Sequence, residues 1–301
     1  MFEGTITISP NPLATIGTLG AKTYSPVYIP GKEGYRGFTK EDRADGNFWR
    51  AQFILTGGIN FLKHTMNTNL SKMVLIHDEE RQPLWEGFIY EMEINTGVAI
   101  YRISLAETWN RVWMRYRITG AAEPTISTPL EDLISQAQFG IKEYVMTGGE
   151  LENTDVADQP VQRFLDEYRI PKKAPVSLGL AGRRVEAMVK GVTDRPHILA
   201  RCRGYDDTLN WQVYEHDVAG NQNSNAQIQD VLDAKAQFVA SYKLDANSTL
   251  VSTKYQTNRR SGDIIKDIAR VGDGLYQRWI PWWNFGRQFE YKRAAIARLV
   301  A

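Results

Sequence analysis

The chain has 301 residues and carries 36 Lys+Arg against 35 Asp+Glu, so its formal net charge of +1 gives no global field to hold a polyanion or a charged membrane surface. Apolar residues at 43% and charged residues at 24% exclude a disordered or fibrous chain, and the length favours two domains over one. The single cysteine, Cys202, excludes an internal disulfide framework and a multi-thiolate metal site, and fits folding in a reducing compartment.

The start, MFEGTITISPNP, lacks the basic stretch and apolar core of a signal peptide, and no apolar run approaches the roughly 18 residues of a membrane span. A soluble protein without membrane insertion is expected. Phe2 to Ser9 reads as a strand, followed by a Pro/Gly-punctuated edge in which Val27-Tyr28-Ile29 is a short strand candidate. Gly31 to Gly46 reads as a polar connection. Asn47 to Leu55 is a strand, with Trp49, Ala51, Phe53 and Leu55 as its better core face. Phe61-Leu62 opens a weak segment of uncertain type, and Lys72 to Asp78 is a run of strand length.

The most readable stretch is Leu84 to Tyr116. Phe88, Tyr90, Met92 and Ile94 alternate with small or acidic residues, Asn95-Thr96-Gly97 supplies a turn, and Tyr101, Ile103 and Leu105 alternate again. A short helical turn carrying Leu105 and Trp109 is expected next, then a strand from Val112 to Ile118 against Arg111, Arg115 and Arg117. The charged turn Asp78 to Pro83 pairs this unit with the run before it.

Beyond Ile118 the period changes. Thr128-Pro129-Leu130-Glu131 is a capping box with proline at the first helical position, and Leu130, Leu133, Ile134, Ala137, Ile141, Tyr144 and Val145 follow helical spacing up to Gly148-Gly149. A second helix is expected from Pro160 to Tyr168, and Pro171 to Gly182 reads as a domain boundary. Val185 to Val192, Ile198 to Arg203 and Trp211 to His216 read as strands, with Asp206-Asp207 capping a short helical turn. Helices are expected from Ser224 and from Ser261 to a C-cap at Gly272, and Phe289 with Tyr291 suggests a last strand. Glu107-Thr108-Trp109-Asn110 lies 100 residues before Asp207-Thr208-Leu209-Asn210, which suggests two related modules.

Fold class follows as mainly β (α+β): two barrel- or sandwich-like antiparallel β modules with several inserted helices. Residues 1–120 form the first module, 121–182 a helical insertion and linker, and 183–301 the second module with two helices.

Catalytic signatures are missing: there is no HExxH, GxSxG, Walker loop or strand-linked GxGxxG. His64, His77, His197 and His216 show no ligand spacing, and Glu91 with Glu93 reads as a solvated outer face rather than an acid/base pair. No catalytic residue, metal or cofactor is expected. The segment from Arg259 onward holds nine Lys/Arg against four acids, scattered as on a solvated or interface face. Trp279, Trp282 and Trp283 leave three readings open: core packing, a subunit interface, or stacking on sugar rings.

Leu84-Trp85-Glu86-Gly87-Phe88, followed by Leu105, Asn110, Arg111, Val112 and Tyr116, resembles a pattern of tail-tip or baseplate hub proteins of tailed bacteriophages. Asp263 to Tyr291, with Gly272-Asp273, Arg278-Trp279, Arg287 and Tyr291, is similar to the later part of the same proteins, and Gly204-Tyr205 to Trp211 resembles the segment between. The resemblance spans Asn47 to Tyr116 and Val185 to Tyr291. Thr128 to Tyr168 has no clear counterpart, and Ile280-Pro281-Trp282-Trp283 is bulkier than the pattern.

The resemblance implies a structural virion protein: a homo-oligomeric ring joining the tail tube to the tip or baseplate around the DNA channel, and not an enzyme. Its partners would be further copies of itself and other tail proteins. DNA would pass without sequence-specific binding, and assembly would occur in the bacterial host cytoplasm. Trp85, Gly87, Asn110, Tyr116 and Tyr291 are the residues that carry the pattern. The alternative is a carbohydrate-binding tail-tip protein or a glycan-cleaving enzyme that uses Trp279, Trp282 and Trp283.

Overall fold

A computed structural model describes residues 4–11, 13, 20–27, 32–44, 46–97, 99–176, 195–214, 221–252, 259–275 and 277–294. The chain is mainly β, with several sheets that pair largely antiparallel. The largest sheet runs β2 (Lys22–Tyr24), β1 (Thr5–Ser9), β5 (Met73–His77), β6 (Pro83–Asn95), β13 (His197–Arg203), β4 (Asn47–Thr56), β3 (Gly34–Arg43), with β7 (Ile100–Ser104) and β12 (Lys173–Pro175) branching from β6. Its first and last strands approach each other at a parallel bridge between Pro26 and Tyr35, where Val27 N donates to Tyr35 O at 2.9 Å and Tyr35 N to Ser25 O at 3.1 Å.

The inward faces of these strands, among them Ile6, Phe53, Leu55, Val74, Ile76, Met92, Ile94, Ile198 and Ala200, are buried together. Helix α1 (Ile59–Thr68) adds Leu62 and Met66, four residues apart on one face, to the same core. Strand β6 is long enough to reach two parts of this one core. Met92 and Ile94 lie among the inward residues, while Phe88 meets Tyr205 and Trp211 at ring distances of 6.0 and 5.3 Å.

A second layer is built from β8 (Arg111–Ile118), flanked by β9 (Thr125–Ile126) and β10 (Leu130–Glu131) on one side and β11 (Glu143–Leu151) on the other. β11 runs parallel to β8, and helix α2 (Leu133–Phe139) lies in the connection between them, as a parallel pair requires. Helix α3 (Asp155–Tyr168) covers this sheet with Ala157, Val161 and Leu165 against Val112, Met114 and Tyr116. Asp155 and Asp158 occupy its first turn, where the helix end favours negative charge.

The remaining chain packs helices α4 (Ser224–Lys235) and α5 (Ser261–Val271) beside a sheet of β16 (Ser241–Leu244), β20 (Gln288–Arg293) and β19 (Trp279–Asn284), with the short pairs β14 (Val213–Tyr214) with β18 (Arg259–Arg260) and β15 (Asn221–Asn223) with β17 (Leu250–Ser252). α5 buries Ile264, Ile265 and Ile268 and ends at Gly272, whose φ of 74° is a conformation glycine adopts without penalty. None of the helices among the described residues is long and apolar enough to cross a membrane.

Several expectations need correction. Residues 34–43, read as a connection, form β3, whose polar and charged residues suit an exposed edge. The capping box at Thr128 does not start a helix: Leu130 and Glu131 pair with Val112 and Arg111, and the helix begins at Leu133 with Asp132 as its cap, accepting from Ser135 N at 2.8 Å. Tyr144 and Val145 belong to β11 and not to that helix. The Pro160 helix starts five residues earlier, at Asp155, with the proline inside it. Leu105 to Asn110 is a turn without helix, and Tyr205–Asn210 is a 3-10 helix in which neither Asp206 nor Asp207 caps through its side chain. The weak segment at Phe61-Leu62 is α1. Strand β13 lies between β6 and β4, so the large sheet crosses the boundary set at 171–182 and draws on both the 1–120 and the 183–301 segments. The strands expected at Val185 to Val192 and at Tyr28-Ile29, and His216, fall outside the described residues.

Gly87 is fixed by close approach: a Cβ there would stand 2.2 Å from the Arg203 carbonyl oxygen and 2.4 Å from the Trp85 ring. Gly87→Ala is expected to lower stability by about 2 kcal/mol, within the range of overpacking. Urea unfolding should show a lower midpoint with an unchanged slope.

Candidate functional site

One group of buried polar side chains gathers where the layers meet, around Asn110, Lys142 and Glu143. Asn110, which exposes none of its surface, spends its amide on three neighbours: Nδ2 donates to Gly140 O at 2.8 Å and Ser135 Oγ at 3.2 Å, and Oδ1 accepts from Lys142 N at 2.8 Å. Its backbone accepts from Asp132 N and donates to Lys142 O, each at 3.0 Å. One side chain thus holds both ends of α2 and the entry to β11, and an amide is required because it must donate and accept at once.

Lys142 follows. Its ammonium donates to Leu105 O and lies 5.1 Å from the Trp109 ring, 4.9 Å from Trp211 and 6.0 Å from Tyr90. Burial in this aromatic cage brings its pKa down to about 7, with Asp207 opposing the shift and Arg260 adding to it. Glu143, fully buried, takes Arg111 at 3.1 Å and Lys235 at 3.4 Å on Oε1, and accepts from Val213 N at 2.5 Å on Oε2. Arg260 donates to Glu143 O at 2.9 Å and to Trp211 O at 3.2 Å, and Glu143 N donates to Trp211 O at 2.8 Å. Trp109 and Asn110 of the first tetrapeptide lie on one side of this pair, and Trp211, the residue that follows the second, on the other.

Trp85-Glu86-Gly87 forms a second joint. Trp85 is fully buried and meets Phe48 edge-on at 6.4 Å. Glu86 accepts from Gly286 N at 2.6 Å, binding β6 to the turn between β19 and β20, and burial raises its carboxyl above the usual range while the Gly286 and Arg287 amides oppose the shift. Asn47 Nδ2 donates to Trp283 O at 2.8 Å, and Phe48 packs on Phe285 at 4.6 Å. Tyr116 is buried under α3, its hydroxyl without a partner among the described residues. Tyr291 is buried against Trp279 at 4.9 Å and receives Asn247 Nδ2 at 3.0 Å on its hydroxyl.

Trp279, Trp282 and Trp283 do not share a surface. Trp279 and Trp283 are buried at 4% and 1% exposure, the first donating to Asp273 at 3.0 Å and the second set edge-on to Phe289 at 5.6 Å. Trp282 points to the opposite side of β19, half-buried, with the Lys292 ammonium 4.8 Å from its ring. Glu91 and Glu93 sit with Arg102 and Arg201 in a four-membered charge ladder on the outer face of the large sheet. Among the described residues no three His, Cys, Asp or Glu side chains gather to hold a metal ion, and burial pushes the Cys202 thiol up, away from the reactive thiolate.

Sequence reasoning marked Asn110 and Trp85-Gly87 but missed Lys142 and Glu143, which stood inside an expected helix. Two charged residues directly after Phe139-Gly140-Ile141, within an apolar periodic run, were the available signal. Comparison with known proteins gives no match to a family model, to a curated protein or to a solved structure.

Glu143→Gln keeps the acceptor for Val213 N but leaves Arg111 and Lys235 facing a neutral group. A loss of about 3 kcal/mol in denaturant unfolding is expected, as for a buried ion pair broken on one side. Lys142 tests the cage through pH. An unfolded lysine keeps its proton up to 10.5, so between pH 7 and 10.5 the unfolded chain binds more protons and this group's contribution to stability rises with pH. Thermal midpoints of the wild type relative to Lys142→Met should climb from pH 7 to 9.5; a constant difference would show that the cage does not shift the lysine.

Proposed function

We propose that this chain is a structural protein of a bacteriophage tail, a hub or adaptor that assembles with further copies of itself into a ring between the tail tube and the tip or baseplate. The large sheet is read as a barrel-like module closed through the Pro26–Tyr35 bridge, and the β16–β20–β19 sheet with its helices as the smaller second module. In this reading the role is mechanical. DNA passes along the ring axis without sequence-specific binding, and the near-neutral net charge of +1 suits that passage.

The observation that carries the reading is on the insertion. Leu133, Ile134 and Ile170 are 69%, 78% and 56% exposed, and they are neighbours, because Ser135 Oγ donates to Arg169 O and Arg169 pairs with Asp132 at 3.2 Å. Apolar side chains bared together mark a surface that another protein covers. A head-to-tail contact between copies closes into a ring when the rotation allows. The resemblance at Trp85, Gly87, Asn110, Tyr116 and Tyr291 points the same way, as those positions serve packing and not chemistry. A glycan-binding reading retains one indole of its three, Trp282.

Native mass spectrometry and negative-stain imaging of the purified protein test the proposal. Closed oligomers are expected, and Ile134→Asp should yield folded monomers with unchanged circular dichroism. A wild type that stays monomeric and never joins particles would overturn it. Glycan-array binding lost in Trp282→Ala would favour the alternative.

A further inference from the structure

The outer face of the large sheet contains an arrangement that the tail reading neither uses nor needs. Arg50 on β4 and Arg203 on β13 are direct cross-strand partners, while Glu41 on β3 stands opposite Arg50 on its other side without reaching ion-pair distance. Like charges set directly opposite each other destabilise a sheet. Around them a cavity of about 340 Å³ opens, lined by the cations Lys40, Arg50, Arg201 and Arg203, the acids Glu41 and Glu91, and Tyr90. Three of the four cations are held in place by groups beside them. Arg201 is bound to Glu91 and lies 3.7 Å from Glu93; Arg203 reaches Asp207 at 3.5 Å and lies 4.8 Å from the Tyr90 ring; Lys40 pairs with Asp42 at 2.5 Å and donates to Leu84 O at 3.3 Å. Arg50 is different. It stacks on Trp49 at 4.0 Å and has no ion pair among the described residues.

The geometry points to an oxyanion site of the phosphoryl class in this cavity, with Arg50 and Arg203 as the paired donors and Arg201 at the rim. Guanidinium groups present planar N–H forks that match phosphate oxygens, and an anion between two of them converts their repulsion into two attractions. Carboxylates beside Arg201 and Arg203 fix the forks before any ligand arrives, which lowers the ordering cost of binding. The volume is near the lower end of small-molecule sites, which begin at about 300 Å³, so a pyrophosphate-sized group or a single phosphodiester fits. A free phosphate compound and a nucleic-acid backbone would present the same oxygens.

Isothermal titration of the full chain at low salt, with pyrophosphate as the probe, tests the site. Saturable binding at one site per chain is expected, weakened at least tenfold in Arg50→Gln and unchanged in Arg163→Gln, an exposed arginine on α3. Arg50→Lys, which keeps the charge and loses the fork, should fall between them. Competition by a ten-residue oligothymidylate would identify backbone phosphates as the source, and its absence a free phosphate compound. No saturable heat, or an affinity that Arg50→Gln leaves intact, overturns the site without touching the oligomeric reading, whose readout is assembly.

Discussion

The Glu143 carboxylate is the point on which the layers of this molecule depend. It belongs to β11, yet its partners come from β8, from α4 and from the backbone at Val213, while Arg260 of β18 takes the carbonyl of the same residue. Burying a charge costs several kcal/mol, and the cost is offset only when every oxygen is met. Here the oxygens are met by elements far apart in sequence, so the charge stabilises one arrangement of the layers and penalises any other. Lys142 beside it works through rings: with a single carbonyl acceptor, its ammonium is held by three aromatic faces, and that partial compensation is why burial depresses its pKa.

The joint at Glu86 repeats the logic with a neutralising difference. Among the described residues no cation reaches ion-pair distance of this carboxylate; it is met by backbone N–H of the β19–β20 turn, with the Arg287 charge further off, and burial raises its pKa. A raised carboxyl binds its proton more readily in the folded chain than in the unfolded one, so this joint favours the folded state more at low pH than at neutral pH. The two buried acids therefore anchor different layers by different means, ion pairing at Glu143 and amide donation at Glu86.

Much of this was legible from local pattern. β4, β6, β7 and β8 alternate clearly enough that their existence follows from the sequence, β5 shows as a short apolar run that the charged turn at 78–83 pairs with β6, and Ser224 and Ser261 mark helix starts that the chain uses. Where the reading failed, tertiary contacts overruled a valid local signal. Glu131 in the apparent capping box is drawn to Arg111 at 2.8 Å, and the cap passes to Asp132. β3 has no apolar alternation because its exposed edge needs none. β11 was concealed because Tyr144 and Val145 continue the spacing of the helix before them, and only its parallel pairing with β8 decides otherwise. Of the candidate sites, Asn110 and the Trp85-Gly87 joint could be singled out as residues, but their partners at Gly140 and Gly286 lie 30 and 200 positions away, beyond any periodicity.

The same non-locality governs how the large sheet is completed. β3 and β4 form one hairpin, and β5, β6 and β7 a local meander, but these halves have no direct ladder to each other; β13, from residues 197–203, is paired to Thr56–Arg50 on one side and to Asn95–Phe88 on the other. Contacts of such sequence separation carry loop-closure entropy that only the finished sheet repays. A chain ending before β13 would expose the facing edges of β4 and β6, including the apolar residues Phe53, Leu55, Met92 and Ile94 that Ile198 and Ala200 cover. The N-terminal and C-terminal segments are for this reason joined in one sheet, which neither completes without the other.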